Sequence, residues 1–434
     1  MMRRFSQITS YLALFAGLIV GTSIPSDAGE TLVLGRIKSA GVLLYGNPKT
    51  YSVAVRDLYP VDLDGDGNEE VIFAGFESQP NSPAKYDNTR LQIFGWSNGR
   101  LVNQTTQWLP SGAEMIEGTN DIAFGDFNGD RKIDFFTTAY TDMDHQVYEY
   151  AFTNKGGYFV RQQFSMSSQQ HGVTAGDFNG DGYDDVVVDG YLSAPYFLGG
   201  PNGLTRYMPG GYHYGSDISA GNFLAPDELS FVEVDGYAYG VNDTDTLLLR
   251  PTPNDDHTNF SFDYVAPLPA GRYGPIGHDV RALPFKLNDD NLDDVVIFSR
   301  ERGPNNTWTK DSRVQLLINQ GGGVFTDVTD TKLVGYTTNT DVSYHPVVTD
   351  INRDGLSDIF VSGSNWSRRY NSTAILMGRP GGVLAERFRA QLSAVVRKPG
   401  VISTLVKTNG GFFVVYERHW KGRGTVMYAP IAVE

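Results

Sequence analysis

The sequence predicts an all-β fold arranged as one ring of repeated units, and three observations carry that prediction. No stretch keeps a helical period of apolar residues. Glycine (49 residues) and aromatics (12%) are abundant, as in chains of short strands joined by tight turns. Most telling, one Asp-rich segment recurs along the whole chain.

Four copies of that segment match closely: DLDGDGNEEVIF from Asp62, DFNGDRKIDFFT from Asp126, DFNGDGYDDVVV from Asp177 and DINRDGLSDIFV from Asp350. Two eroded copies align with them, GNFLAPDELSFVEV around Asn222 and FKLNDDNLDDVVIF, in which Lys286 takes the first motif position. The starts at 62, 126, 177, 222, 286 and 350 are spaced by 64, 51, 45, 64 and 64 residues. A seventh unit, VISTLVKTNGGFFVVYERHW, has two apolar runs joined by NGG and no Asp loop. Each of the first six units has a second turn further on: SNGR at 97, TNKGG at 153, GGPNG at 199, RPTPND at 250, NQGGG at 319 and GRPGG at 378. A unit is therefore two hairpins, or four strands.

Seven four-stranded units around an axis make a seven-bladed β-propeller, which leaves only short, protected strand edges. The last unit has only three strands of its own, VISTLVKT, FFVVYERHW and TVMYAPIAVE, while TLVLGRI and GVLLYG near the N-terminus are spare. An N-terminal strand is expected to complete the last blade and close the ring. Ahead of it, MMRR, the apolar run YLALFAGLIVG and the stretch TSIPSDAGE read as a secretory signal peptide over residues 1–28, cleaved after Ala28. Residues 29–434 then form a single propeller, secreted or periplasmic, with no membrane span. The absence of Cys fits an exported bacterial protein better than a eukaryotic one. A net charge of -15 argues against nucleic acid or anionic lipid as partner.

Much of that charge sits in the repeated loops. Acidic or amide oxygens stand at positions 1, 3, 5 and 9, with a turn residue at position 6. Such an oxygen-only shell is what Ca²⁺ prefers, and Mg²⁺, which keeps more water, fits less well. An EF-hand shares positions 1, 3 and 5 but needs flanking helices and Glu at position 12; here that position is Phe73, Thr137, Val188 or Val361, and a strand follows.

With these loops and with LLINQGGGVFTDVT as a second hairpin, the mature chain resembles the FG-GAP/VCBS repeat family, which includes the propeller domains of integrin α chains. The resemblance implies Ca²⁺ loops on the lower face, about four in number. Carried over residue by residue, their ligands are Asp62, Asp64, Asp66 and Glu70; Asp126, Asn128, Asp130 and Asp134; Asp177, Asn179, Asp181 and Asp185; and Asp350, Asn352, Asp354 and Asp358. Glu70 and Arg131 depart from the family pattern. At the fifth copy the Lys286 ammonium is expected to replace the ion among Asn288, Asp290 and Asp294, and Leu224 and Pro226 leave the fourth copy without one.

No nucleophile elbow, P-loop, zinc-protease helix or dinucleotide fingerprint is present. His171, His213, His278 and His345 instead fall five to nine residues before the loops of four successive blades, at or before the innermost strands. With Asp121, Asp217, Asp279, Tyr344 and Arg56 they are expected to ring the upper mouth, where they could take a sugar, a peptide carboxylate or a second metal. The plainer alternative is that each His packs on a neighbour or satisfies a buried carbonyl. The function that follows is a binding or adhesion module for an extracellular or periplasmic protein or glycan. The alternatives are a polysaccharide lyase or hydrolase working at the central mouth, and a structural part of an envelope assembly.

Overall fold

A computed structural model describes residues 30–43, 52–78, 88–110, 114–140, 146–167, 170–190, 195–208, 215–234, 246–272, 277–288, 290–302, 308–336, 345–362, 373–396, 402–420 and 423–434. The expected signal peptide lies outside them. Among the described residues no helix is long and apolar enough to cross a membrane.

The strands form seven separate sheets, the blades of a propeller, antiparallel except where Leu333–Val334 pairs parallel with the outer edge of blade 6. Blade 1 is built from Ser52–Val61, Glu70–Ser78, Asn88–Ser97 and Arg100–Asn103, each strand paired with the next. Blades 2 to 6 repeat this plan, their first strands being Ile122–Gly125, Gln170–Gly176, Asp217–Ala225, Gly277–Phe285 and Val347–Thr349. Every second hairpin forms where its turn residues stand. In SNGR, for instance, Asn98 (φ 51°) and Gly99 (φ 69°) are both left-handed between paired Ser97 and Arg100, which is the two-residue turn that matches strand twist.

Blade 7 contains Ser403–Thr408, Gly411–Trp420 and Arg423–Val433 from the C-terminus. Both N-terminal strands, Leu32–Leu34 and Lys38–Val42, pair antiparallel with the last of these, Leu32 opposite Val433 and Val42 opposite Thr425. The chain's two ends thus share one sheet, so opening the ring means breaking a strand ladder.

Alternation along each second strand holds the blades together. Val71 and Phe73 point to the seam with blade 7, while Ile72 and Ala74 point to the seam with blade 2. Seven apolar clusters result, one per seam, the largest centred on Trp108, Phe135, Phe152 and Phe159 between blades 1 and 2. Burying a Phe or Val side chain contributes about 1.5–3 kcal/mol, so the seams are the main source of stability. Three short helices, Thr105–Trp108, Thr329–Lys332 and Arg389–Val396, follow the outermost strands of blades 1, 5 and 6 and were not visible as apolar periodicity.

Candidate functional site

Each intact loop joins the first and second strands of its blade and is folded by its own first Asp. Asp62 Oδ1 accepts the N–H groups of Gly65 (2.9 Å) and Asp66 (3.1 Å), and its Oδ2 accepts that of Gly67 (2.9 Å). Asp177 makes the same three bonds, and Asp126 and Asp350 accept the N–H groups of positions 5 and 6, with the position 6 N–H at 2.6, 2.9 and 2.9 Å from Asp126, Asp177 and Asp350. Wrapping the backbone around one carboxylate drives positions 4 and 6 into the left-handed region. Glycine holds most of them, such as Gly65 (φ 74°) and Gly182 (φ 89°), but Arg353 occupies position 4 and Arg131 position 6, both at φ 63°. A side chain there costs roughly 1–2 kcal/mol.

The position 9 carboxylate is buried beneath each loop and ties it to the blade. Asp185 Oδ2 accepts the Phe178 N–H (3.1 Å) and its Oδ1 that of Gly199 in the second hairpin (2.8 Å). Asp134 and Asp358 make the same pair of bonds. Burial pushes the Glu70 carboxyl up to about 8, Asp134 and Asp185 to about 7 and Asp358 to about 6, with the other loop carboxylates adding to the rise. In the first loop Asp62, Asp64 and Glu70 bring carboxylate oxygens within 4.8 Å of one another, and in the others the amide oxygens of Asn128, Asn179 and Asn352 accept the position 5 N–H at 3.0, 3.0 and 3.2 Å. The residues expected as ligands offer oxygen donors alone, the donor chemistry that Ca²⁺ takes.

The two eroded loops differ from these in kind. In blade 4 the loop is gone: Ala225 pairs with Glu228 across a two-residue turn of Pro226 and Asp227 (φ 62°). In the blade 5 loop Asp294 still accepts the Leu287 N–H, at 2.7 Å. Lys286 folds over it, its Nζ 3.5 Å from the Asp290 carbonyl and 3.8 Å from Asp293 Oδ1.

The loops also clasp neighbouring blades through position 8. Asp184 accepts the Asp126 N–H (2.7 Å) and donates its own N–H to the Asp126 carbonyl (3.1 Å). Asp293 does the same with Asn222, and Glu69 with Lys407 of blade 7. In the first loop Asn409 adds a bond from its Nδ2 to the Asp66 carbonyl (2.8 Å). The blade 1 loop is thus part of the joint that closes the ring.

In the channel, one residue in or just before each first strand stands at the same level, four places before the last paired residue above the loop: Asp57, Asp121, Gly172, Asp217, Arg281, His345 and Thr404. Arg281 Nη1 donates to Asp121 Oδ2 (2.7 Å) and Asp217 Oδ1 (2.8 Å), joining blade 5 to blades 2 and 4. His345 lies between Asp57 Oδ1 (3.2 Å) and Asp121 Oδ1 (3.7 Å), with the Tyr59 hydroxyl 3.4 Å from its Nε2. Burial opposes the Arg281 charge, but Asp217 and Asp121 hold its pKa above the ordinary value. Asp217 is pushed up to about 7 by burial against the pull of Arg281. A Cβ on Gly172 would lie 2.5 Å from the Asp217 Cα, so this member of the ring must be glycine.

Of the residues expected at the mouth, the structure brings together Asp121, Asp217 and His345. His171 lies one place above this level, its ring edge-on to Tyr140 at 5.2 Å, and its carbonyl accepts the Asn120 amide (2.9 Å). His213 and Tyr344 fall outside the described residues, and for Arg56, His278 and Asp279 only the strand backbone is described. Asp57, Tyr59, Arg281 and Thr404 were missed. Their signal was available, because Asp57, Asp121, Asp217, Arg281 and His345 all stand five residues before their loops. Strand irregularities at Arg56, His171 and Val280 sit just above this level and set which side chain turns inward.

These features define a ring-closed β-propeller with acidic loops on one face and a charged cluster in its channel. FG-GAP-like repeats are matched at residues 62–137, 126–188 and 286–361, and they stand in blades 1 to 3, 5 and 6 of the propeller. No curated protein matches it in sequence. Among solved structures it is similar to an Agrocybe aegerita lectin described as recognising non-reducing terminal N-acetylglucosamine, at 14% identity over 88% of this chain and 90% of that one, with a TM-score of 0.42. A Lactobacillus plantarum protein is 10% identical over 85% and 99%, with a TM-score of 0.45. The V. cholerae biofilm matrix protein Bap1 is 10% identical over 91% of each chain, with a TM-score of 0.25. The fold assignment rests on the strand pairing and the repeats, not on these three.

Proposed function

We propose that this protein is an exported, calcium-loaded propeller acting as a binding module for an extracellular or periplasmic protein or glycan, which docks at the mouth opposite the loops. The observation that carries the reading is the channel cluster. Asp121 and Asp217 are tied to Arg281, and Asp57 faces His345, so the charges form a fixed floor beneath the mouth. A floor held in place by its own ion pairs favours recognition, since its groups lose little freedom when a ligand arrives. One observation favours the catalytic alternative: the Tyr59 hydroxyl and His345 form the kind of pair that could move a proton.

A glycan array run in calcium, alongside a lyase and hydrolase screen of the same glycans, separates the two. The expected result is binding without product, weakened at least tenfold by His171→Ala. Cleavage that disappears in Tyr59→Phe and His345→Ala would replace this reading with the catalytic one. Array binding indifferent to His171→Ala would place the ligand elsewhere.

A further inference from the structure

The net charge of -15 averages two unlike sides of the ring. Residues 361–434, which supply the outer strands of blade 6 and the C-terminal strands of blade 7, hold eleven Lys or Arg against three Asp or Glu. Residues 215–272, which build blade 4, hold two against ten. Blade 4 has also lost its acidic loop, so none of its acids is an expected calcium ligand. Blades 5 and 6 separate the two poles on one side and blades 1, 2 and 3 on the other, which puts them across the ring from each other.

Both poles reach the rim. The outermost layer of blade 7 is the pair of N-terminal strands, where Arg36 and Lys38 are exposed and have no acidic partner among the described residues. The outermost strand of blade 4 is Phe260–Pro267, where Asp263 is exposed and accepts the Thr252 hydroxyl (2.6 Å), and Asp255 is exposed in the hairpin leading to it. Apolar side chains stand beside each charge: Val33 and Val42 on blade 7, and Tyr264, 61% exposed, on blade 4, with Tyr207 and Met208 at the rim of blade 3 next to it. A charge on an outer strand keeps that edge from pairing with its own kind. Here the two edges have opposite signs, so blade 7 repels blade 7 and blade 4 repels blade 4, while blade 7 attracts blade 4.

We infer that the rim of blade 7 is a docking surface for a second copy of this chain, which presents the rim of its blade 4. The net negative charge of two copies is screened beyond about 10 Å at 0.1 M salt, so the poles in contact decide the outcome. Because the two rims lie across one ring, the contact is head-to-tail and does not close on itself; it builds open rows in place of a two-fold dimer. The rim is separate from the channel mouth, and the association needs no ligand there.

The test is sedimentation of the full mature chain in calcium, with no glycan or other protein present. At about 0.05 M salt the wild type is expected to grow in mass with concentration past the dimer, and at about 0.5 M to return to monomer. Two double variants, Arg36→Gln with Lys38→Gln and Asp255→Lys with Asp263→Lys, should each stay monomeric alone at low salt. Mixed in equal amounts they should form a complex of two chains and nothing larger, because each keeps the one pole the other lacks. That recovery also distinguishes a lost contact from a lost fold. A wild type that is monomeric at low salt would overturn the inference, and its retention on polyglutamate would then assign the blade 7 rim to a different, acidic partner. A dimer that does not extend, double variants that associate as the wild type does, or a mixture that stays monomeric would overturn it equally.

Discussion

Arg281 is a single guanidinium shared by two carboxylates from different blades, both nearly inaccessible to solvent: Asp121 at 2% exposure and Asp217 at 1%. Arg281→Met should cost about 3–5 kcal/mol, since it leaves buried charge without a partner. Chemical denaturation would measure it, and a loss under about 1 kcal/mol would mean that the pairs hold little. Asp217 adds a pH signature. Its folded pKa lies above the unfolded one, so its contribution is present at low pH and is lost as pH rises through about 7. The defect in Arg281→Met should therefore shrink below that pH. A window of His positions found His345 but passed over Arg281, because charge at one level of a ring is a property of aligned columns.

At the scale of the loop, spacing made most of the structure legible. Positions 1, 3, 5 and 9 were readable because one Asp must collect several backbone N–H groups at once and one acid must reach under the turn. The clasps were not readable: position 8 looks like surface charge until a neighbouring blade is placed beside it. Nor did the fourth copy reveal that it had shrunk to a Pro226-Asp227 turn. The buried position 9 acids give a direct prediction. With calcium chelated, their raised pKa values mean the folded state binds more protons than the unfolded one, so stability should fall as pH rises from about 5 to about 8. Calcium, which requires the ionised acids, should reverse that slope in melting curves. A chelated protein whose melting temperature rises across this range would contradict the burial argument. Lys286→Asp restores the first acid of the fifth loop and is expected to add one calcium per chain by calorimetric titration.

For the molecule as a whole, the number of blades followed from counting repeats, and ring closure followed from a last unit one strand short with spare strands at the other end. The sequence could not show that the first loop lies at the closing joint, where Glu69 meets Lys407 and Asn409 meets Asp66. If calcium fills the loops, it stabilises the ring at its weakest covalent point as well as within each blade. A ligand held only by the folded state raises stability by mass action. The most direct measurement is calcium per chain by elemental analysis after dialysis, read together with the melting temperature before and after chelation. About four ions per chain, one for each intact loop, and a melting temperature that drops on chelation are the predicted results. One ion or none, or a melting temperature that chelator does not move, would contradict the calcium-loaded propeller.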